Sequence, residues 1–270
     1  MRRLFALIVL ALAGCDTQPA APFVSGGGIV STNPCADQLL LALAPPGRIA
    51  AISHYSQEAA ATSIPLDVAR RFRGTASTAE EVVALKPDLI LASSFTPAST
   101  LRAYERLGLK VLTLDSPTTI AASRDQIRIV AAALGTRAAG EALIARIDAA
   151  VALAAPRDTA RPSALLFIAD NFANGGPTLL TEMLTRAGFS TPPAAMSRSV
   201  PIEALMREPP AVIMTPDPDG RAATLRRRVL ARAGLRVVEA TFPRSLVNCG
   251  GPTIVPAMQR LAAIRSGMAR

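Results

Sequence analysis

Histidine, tryptophan and long apolar runs are scarce or absent in this chain of 270 residues. His54 is the only histidine, so a site that holds a bare Zn²⁺ or Mn²⁺ ion through several imidazoles is disfavoured. The apolar run at residues 4–13 covers about half of the roughly 20 residues that a membrane-spanning helix needs. We therefore expect neither a bare-metal site nor a membrane span in that run.

Motifs that would indicate catalysis are also missing. The chain has no Gly-x-Ser-x-Gly elbow, no Walker lysine motif and no dinucleotide fingerprint. Ser53 and His54 are adjacent, and Ser93 and Ser94 form a second pair. Adjacent residues at one strand end do not offer the geometry of a catalytic triad. We expect a protein that is not an enzyme, uses no cofactor and has no resident metal.

The first residues are typical of an export signal. Arg2 and Arg3 precede the apolar run, and the small residues before Cys15 form the kind of site that a signal peptidase accepts. The tetrad Leu12-Ala13-Gly14-Cys15 resembles the bacterial lipobox, in which the cysteine becomes lipidated. We expect a signal peptide at 1–14, a lipid anchor on Cys15 and a flexible tether at 15–27. An ordinary secretory signal with a chance cysteine is the alternative.

Arginine dominates the charge of the chain. Lys and Arg number 29 against 20 Asp and Glu, a formal net charge of +9, while aromatic residues make up 4%. An exported protein meets little nucleic acid, so we expect no nucleic-acid partner. We interpret the net positive charge in part as a preference for anionic ligands. The run Arg226-Arg227-Arg228 is interpreted as a solvated helix face. Hydrophobic residues make up 50% of the chain, which is enough to form the core of one large domain or of two lobes.

Two cysteines remain if Cys15 is lipidated. Cys35 and Cys249 form an even pair in an oxidising compartment, where a disulfide is permitted. The sequence does not tell whether their Cα atoms approach closely enough for a bridge. A disulfide, two inert thiols and a metal site therefore all stay open.

Strand and helix patterns alternate along most of the chain. Short apolar runs predict strands at 28–32, 48–53, 89–92, 110–114, 164–169, 211–215 and 236–240. Helical patterns lie between these runs, one of them beginning at the N-cap Thr78. Strands that alternate with helices at such spacing indicate parallel βα units and an α/β fold.

Residues 119–155 interrupt this alternation. Two helical patterns, 119–134 and Arg137–Ala154, follow one another without a strand. Leu143, Ile147 and Val151 form an apolar stripe on the second helix, which is long enough to span a lobe.

The second half of the chain echoes the first. Glu80 and Glu203 are each followed by six residues, a proline and an aliphatic strand. This match indicates two related lobes. We expect an N-terminal lobe at 28–135, a connecting helix at 136–156 and a C-terminal lobe at 157–270.

Several segments together resemble a known family. The lipobox, the long middle helix and four stretches carry the likeness: IVSTNPCADQLLLALA (29–44), RIAAISHYS (48–56), TAEEVVALKPDLIL (78–91) and NCGGPTIVPAMQRLA (248–262). They resemble the periplasmic substrate-binding proteins of ABC importers, in the helix-hinged group that serves iron-siderophore, haem and cobalamin uptake. The resemblance implies two Rossmann-like lobes with parallel-rich sheets, joined by one long rigid helix, with the ligand cleft between them.

Loops at the carboxyl ends of the strands are the candidate ligand contacts, because ligands of open parallel sheets bind there. Aromatic, amide and hydroxyl groups in these loops suit a large chelate or macrocycle, and two glycines permit close backbone approach. The candidates are Asn33, Pro34, Cys35, Ser53, His54, Tyr55, Ser93, Ser94, Phe95, Asp170, Asn171, Phe172, Asn248, Cys249, Gly250 and Gly251.

The cargo that the resemblance implies is a ferric siderophore or a related metal chelate. His54 with Tyr55 offers an axial ligand for haem, which makes haem an alternative. The missing tryptophan counts against cobalamin. An envelope adaptor that has lost small-molecule binding is a further alternative.

The same resemblance implies a partner and a location. We expect a monomer, anchored by lipid to the inner membrane in the periplasm, that delivers cargo to an ABC permease. Glu80 and Glu203 are the expected docking points for arginines of that permease, although each carboxylate also favours the N-terminus of its own helix.

Overall fold

The structure is a computed structural model that describes residues 27–193 and 196–268. Cys15, the expected signal peptide and nearly all of the expected tether lie outside the described residues. In the described part of the chain no helix is both long enough and apolar enough to cross a membrane.

The first half of the chain forms one five-stranded sheet. The strands are β1 (Ile29–Ser31), β2 (Ile49–Ser53), β3 (Gly74–Thr75), β4 (Leu89–Ser93) and β5 (Val111–Leu114). Their order across the sheet is β3-β2-β1-β4-β5, and every pair is parallel. The helices of this half are α1 (Pro34–Leu43), α2 (Leu66–Ala69), α3 (Ala79–Ala84), α4 (Ala98–Arg106) and α5 (Ile120–Leu134).

A long helix, α6 (Arg137–Ala154), leads to a second five-stranded sheet. Its strands are β6 (Ala164–Ala169), β7 (Phe172–Ala173), β8 (Arg198–Ser199), β9 (Val212–Thr215) and β10 (Val238–Thr241). The order is β10-β9-β6-β7-β8, parallel from β10 to β6 and antiparallel from β6 to β8. The remaining helices are α7 (Leu179–Arg186), α8 (Ile202–Arg207), α9 (Arg221–Arg232) and α10 (Ile254–Gly267).

The central strands of both sheets are buried on both faces. In β1, Ile29 faces the middle of the molecule and Val30 faces the outer helices. In β6, Leu166 faces the middle of the molecule and Phe167 faces the outer helices. Successive side chains of a strand point to opposite faces, which explains why these strands read as continuous apolar runs in the sequence.

Helices α5, α6 and α10 form a layer in the middle of the molecule. One apolar cluster contains residues of this layer together with residues of both sheets, among them Leu91 and Met214. Gly140 of α6 lies so close to α5 that a Cβ there would be 2.6 Å from the Cβ of Ala131. The two halves are therefore packed against one shared helical layer.

The buried stripe of α6 differs slightly from the expected one. Leu143 and Ile147 are buried as predicted, but Val151 is only partly buried, and Ala150 and Ala154 continue the stripe. A step of seven residues keeps a helical side chain on one face better than a step of eight, because the repeat is 3.6 residues.

The α/β fold with two lobes, parallel-rich sheets and a long connecting helix is confirmed. The predicted helix at Arg137–Ala154 has the observed bounds of α6. The exact lobe boundaries at residues 28–135, 136–156 and 157–270 stay predictions.

Candidate ligand-binding site

A cavity of about 310 Å³ lies between the two sheets. The first half of the chain contributes the start of α1, the loop after β5 and one residue of α5, and the second half contributes the end of β6 and the start of α7. The segment after β10 closes the cavity. The lining residues are Asn33, Cys35, Ala36, Gln38, Leu39, residues 114–118, Gln126, Ile168, Asn174, Thr178, Leu179, Leu180, Met183, Ser197 and residues 247–250.

Helix α1 begins at this cavity, and the preceding residue, Asn33, caps its N-terminus. The side chain of Asn33 accepts hydrogen bonds from the N–H groups of Cys35, at 2.9 Å, and Ala36, at 3.4 Å. Pro34 occupies the first helical position, where its missing N–H has no intrahelical role. The cap places Cys35 at the cavity wall.

Cys35 and Cys249 form a disulfide, and their Cα atoms are 5.3 Å apart. Of the alternatives that the sequence left open, the disulfide is therefore the one that the structure contains. It joins the start of α1 to the segment that follows β10, and both cysteines line the cavity. The disulfide is thus a covalent link between the first and the second half of the chain at the cavity wall.

Hydrogen bonds reinforce the same junction. Gln38 Nε2 donates to the carbonyl of Gly250 at 2.9 Å, and the hydroxyl of Thr253 donates to Gln38 Oε1. The N–H of Gly251 donates to Ser123 Oγ of α5 at 2.9 Å. The segment after β10 is therefore held on the first half by α1 and α5 together.

Gly250 allows three elements to meet closely. A Cβ at this position would be 2.9 Å from Leu179 Cδ2, 3.1 Å from Pro117 Cγ and 3.3 Å from Ser123 Oγ. These close neighbours are side chains of this chain from both halves. The close approach of a ligand to the backbone at Gly250 stays a prediction.

Amide and hydroxyl groups provide most of the polar lining. Thr178 Oγ1 donates to Asn174 Oδ1 and Asn174 Nδ2 donates to Thr181 Oγ1, each at 2.9 Å. The N–H of Gly175 donates to Ser197 Oγ at 3.1 Å. These bonds fix neutral donors and acceptors on the wall, an arrangement that suits polar edges of a large ligand.

Asp37 is fully buried behind the cavity, in the first turn of α1. Its Oδ2 accepts hydrogen bonds from the N–H of Ser53, at 3.0 Å, and from Ser56 Oγ, at 2.6 Å. Burial raises the pKa of Asp37 to about 7, and hydrogen bonds, including those from Ser53 and Ser56, oppose this shift only in part. Asp37 thus holds both ends of the short turn that carries His54 and Tyr55.

His54 and Tyr55 lie on this turn, at the surface. His54 Nδ1 is 3.1 Å from the carbonyl oxygen of Thr75, so this nitrogen carries the proton and donates. His54 Nε2 is 3.9 Å from Glu58 Oε1, and the rings of His54 and Tyr55 are 4.0 Å apart. Tyr55 is 49% exposed. Asn248 contacts the segment that follows this turn, since its Nδ2 donates to the carbonyl of Ala61 at 3.4 Å.

The structure brings together only part of the predicted ligand set. Asn33, Cys35 and residues 248–250 line the cavity. The others lie outside its lining: Pro34, Ser53, His54, Tyr55, Ser93, Ser94, Phe95, Asp170, Asn171, Phe172 and Gly251. Among these, Phe95 is 79% exposed at the end of β4, and Phe172 is 41% exposed in β7.

Sequence reasoning missed two groups of cavity residues. Residues 115–118 follow β5, so the strand-end rule that selected the other loops would have found them. Thr178 and Leu179 begin α7, and Gln126 belongs to α5. No local signal marks these helical positions, because only the packing of the two halves brings them to the cavity.

Glu80 and Glu203 occupy equivalent places in the two halves. Each lies exposed in the first turn of a six-residue helix, α3 or α8, that leads through a proline into a strand, β4 or β9. Within the described residues, no ion pair or side-chain hydrogen bond involves either carboxylate. The neighbouring Glu81, in contrast, accepts from Thr75 Oγ1 and from the N–H of Ala76, both at 2.7 Å.

Solved structures of other proteins share this fold. The apo form of the periplasmic haem-binding protein RhuT from Roseiflexus sp. RS-1 is 21% identical with a TM-score of 0.69, over 91% of this chain and 100% of that one. HutB, a periplasmic haem-binding protein of Vibrio cholerae, is 17% identical with a TM-score of 0.73, over 90% of this chain and 99% of that one. The periplasmic vitamin B12-binding protein BtuF of the same organism is 18% identical with a TM-score of 0.69, over 92% of this chain and 100% of that one.

Comparison with curated protein sequences gives no match. The family model described as "Periplasmic binding protein", in contrast, matches residues 29–248, which include both sheets and helices α5 and α6. The chain therefore belongs to the periplasmic binding protein family.

Proposed function

We propose that this protein is the receptor of an ABC importer for an iron chelate, and that haem is the favoured chelate. Membership of the family implies a periplasmic location, a small-molecule cargo and an ABC permease as partner.

The observation that carries the proposal is the cavity built from both halves. Its walls combine the capped start of α1, the loop after β5, the start of α7 and the segment after β10. A ligand in this place contacts both lobes at once, as a transport receptor requires. Its volume of about 310 Å³ is at the low end of ligand pockets, so a large chelate would extend towards the neighbouring strand ends.

His54 favours haem. Haem iron offers axial positions to the protein, whereas a hexadentate siderophore already saturates its iron. The Nδ1–H of His54 is held by the carbonyl of Thr75, which leaves the lone pair of Nε2 for a ligand. A histidine that binds a metal commonly has its other nitrogen fixed in this way. Two of the structurally similar proteins bind haem.

A ferric siderophore is the second candidate. The amides and hydroxyls of Asn174, Thr178 and Ser197 form a neutral, hydrogen-bonded wall. Such groups can bind the polar periphery of a saturated iron complex without contributing a ligand to the iron.

Lipid anchoring and docking complete the proposal. Cys15 would carry the lipid and keep the receptor at the inner membrane, as its resemblance to a lipobox implies. Glu80 and Glu203 would each bind an arginine of the permease. Their exposure, the absence of an ion-pair or hydrogen-bond partner for either carboxylate among the described residues, and their equivalent positions in α3 and α8 support this role.

Absorption spectroscopy and calorimetry test the cargo. The purified protein is titrated with haem, with ferric hydroxamate and catecholate siderophores and with cyanocobalamin. We expect a shifted Soret band with haem, and a loss of at least tenfold in haem affinity for His54→Ala. Glu58→Gln is the matched control, because it keeps His54 and removes only the carboxylate that faces Nε2.

The outcomes separate the two candidates. Binding of a siderophore without binding of haem would reject haem and support the second candidate. A folded protein that binds none of these compounds would reject an iron-chelate cargo altogether.

A further inference from the structure

Helix α9 presents one strongly charged face to solvent. Arg221, Leu225, Arg228 and Arg232 are all exposed, and they follow one another at steps of four, three and four residues. Because an α-helix repeats every 3.6 residues, these steps place the four side chains on one face. We call this face, made of these four residues, the basic stripe.

The opposite face of α9 holds the helix on the second lobe. Arg226 and Leu230 are buried there. Glu239 Oε1 lies 3.4 Å from Arg226 Nε, and Glu239 Oε2 lies 3.2 Å from Arg227 Nη1. The expectation that Arg226-Arg227-Arg228 is a solvated face is therefore wrong for Arg226. Of the three, Arg228 alone belongs to the basic stripe.

The arginines of the basic stripe have no acidic partner in the described part of the chain. Helix α9 contains no Asp or Glu, and neither an ion pair nor a hydrogen bond within the described residues involves the side chains of these three arginines. The acidic residues nearest in sequence, Asp217 and Asp219, precede the helix. Leu225 lies between the charges and is 60% exposed. The stripe thus combines three unpaired guanidinium groups with an exposed aliphatic side chain.

We propose that the basic stripe binds the anionic surface of a phospholipid membrane. Guanidinium groups donate to phosphate oxygens in charge-assisted hydrogen bonds. Leu225 would enter the boundary between headgroups and acyl chains, where apolar residues of surface helices lie. The stripe is the outermost face of a helix and forms no concave site. A layer of anionic headgroups can meet such a row of charges without a matching shape, which favours a membrane over an acidic protein.

The place of α9 in the fold suits this role. Helix α8, which carries Glu203, packs on α9. A receptor that docks on its permease through Glu203 turns this flank of the second lobe towards the membrane, so this step rests on the proposed function. Cys15 and Gly27, the first described residue, are 12 positions apart. A lipid on Cys15 would therefore keep Gly27 within about 40 Å of the membrane surface.

Co-sedimentation with vesicles tests the proposal on the mature chain, residues 15–270, with Cys15→Ser so that no lipid is attached. Vesicles of phosphatidylcholine and phosphatidylglycerol in a two-to-one ratio are compared with vesicles of phosphatidylcholine alone. Each arginine near an anionic surface strengthens binding about fivefold, and three together about 100-fold. We expect binding at least tenfold stronger to the anionic vesicles. It should be lost at about 1 M salt, where the Debye length falls to about 3 Å.

Two triple variants separate the basic stripe from the net charge of the protein. The first replaces the arginines of the stripe and should bind anionic vesicles at least tenfold more weakly: Arg221→Gln/Arg228→Gln/Arg232→Gln. The matched control makes the same change of net charge at exposed arginines on and just after α6, and it should bind like the parent chain: Arg137→Gln/Arg146→Gln/Arg157→Gln.

A single tryptophan reports contact with the membrane directly. The chain contains no tryptophan, so Leu225→Trp introduces one fluorescent reporter into the basic stripe. Its emission should shift to shorter wavelength when anionic vesicles are added. Leu153→Trp, at an 84% exposed leucine of α6, is the control and should show no shift.

Three results would overturn the proposal. Equal losses in the two triple variants would assign vesicle binding to net charge alone. An unshifted emission of Leu225→Trp on bound vesicles would place the contact elsewhere. Absence of binding to anionic vesicles would reject a membrane and indicate an acidic protein as the occupant of the stripe. The assay contains no lipid anchor, cargo or permease, so any of these results would leave the proposed function intact.

Discussion

Cys35 and Cys249 are 214 positions apart in sequence, yet their Cα atoms lie 5.3 Å from each other across a disulfide at the wall of the cavity. The bridge closes a loop that contains almost the whole described chain. It fixes the start of α1 to the segment after β10 at the place where residues of both halves meet.

Removal of the bridge should destabilise the protein. Cross-linking so long a loop removes unfolded-state entropy worth up to about 5 kcal/mol. We expect Cys35→Ser/Cys249→Ser to unfold at a lower urea concentration than the oxidised wild type and to bind cargo more weakly. Wild type treated with reductant is the control, and it should unfold like the double variant. Identical midpoints for the oxidised wild type and the double variant would contradict the expectation.

Asp37 should make stability depend on pH. Burial raises its pKa to about 7 in the folded state, while the ordinary value is 3.8. The folded protein thus binds more protons than the unfolded chain between about pH 4 and pH 7, so this contribution to stability is complete below pH 4 and is lost as the pH rises through 7.

We therefore expect a flatter dependence of the free energy of unfolding on pH between 4 and 7 in Asp37→Asn than in the wild type. Between pH 4 and pH 7, the wild type should lose a few kcal/mol more of its free energy of unfolding than the variant, since each unit of pKa shift corresponds to about 1.4 kcal/mol. Urea denaturation at a series of pH values measures it. Asp67→Asn, which removes a largely exposed carboxylate, is the control and should follow the wild type.

Gly250→Ala tests the close approach beside the cavity. The added methyl would lie 2.9 Å from Leu179 and 3.1 Å from Pro117, so α7 or the loop after β5 has to shift. We expect a loss of about 1–3 kcal/mol in the free energy of unfolding, together with weaker cargo binding.

Gly47→Ala is the matched control, since a Cβ there has no atom within 4 Å. It should change the free energy of unfolding by less than about 0.5 kcal/mol. Thermal unfolding and calorimetric titration of both variants measure the two effects. A Gly250→Ala protein as stable as the control would show that the neighbouring side chains rearrange freely.

Charge reversal should separate docking from cargo binding. We expect Glu80→Arg/Glu203→Arg to bind cargo with unchanged affinity but to reduce uptake at least tenfold in cells that depend on this receptor. Glu105→Arg/Glu208→Arg is the control with the same change of net charge at other exposed positions, and it should support normal uptake. Normal uptake with the first pair would exclude Glu80 and Glu203 as docking points.

Local patterns in the sequence predicted much of the fold. The apolar strands and the helix Arg137–Ala154 were predicted because a buried strand and a long amphipathic helix leave a clear periodicity. Strands β3, β7 and β8 were not predicted. Each has two residues, and four of those six residues are exposed, so no alternation of apolar and polar positions marks them.

The site was less predictable than the fold. The rule for parallel sheets selected Asn33 and Gly250, which follow strands, and both line the cavity. Other features depend on how distant parts of the chain pack. Cys35 bonds to Cys249, and Thr178 lines the same cavity. Such contacts have no signature in the residues around either partner.

The helical layer of α5, α6 and α10 has a consequence for attempts to divide the molecule. Each half contributes side chains to one apolar cluster on this layer, and α10, the last described helix, packs on α6 in the middle of the chain. Neither half expressed alone would cover its apolar surface, so we expect truncated single lobes to aggregate and not to fold autonomously. The protein is a cooperative unit in which α10 and β1 contribute side chains to one core.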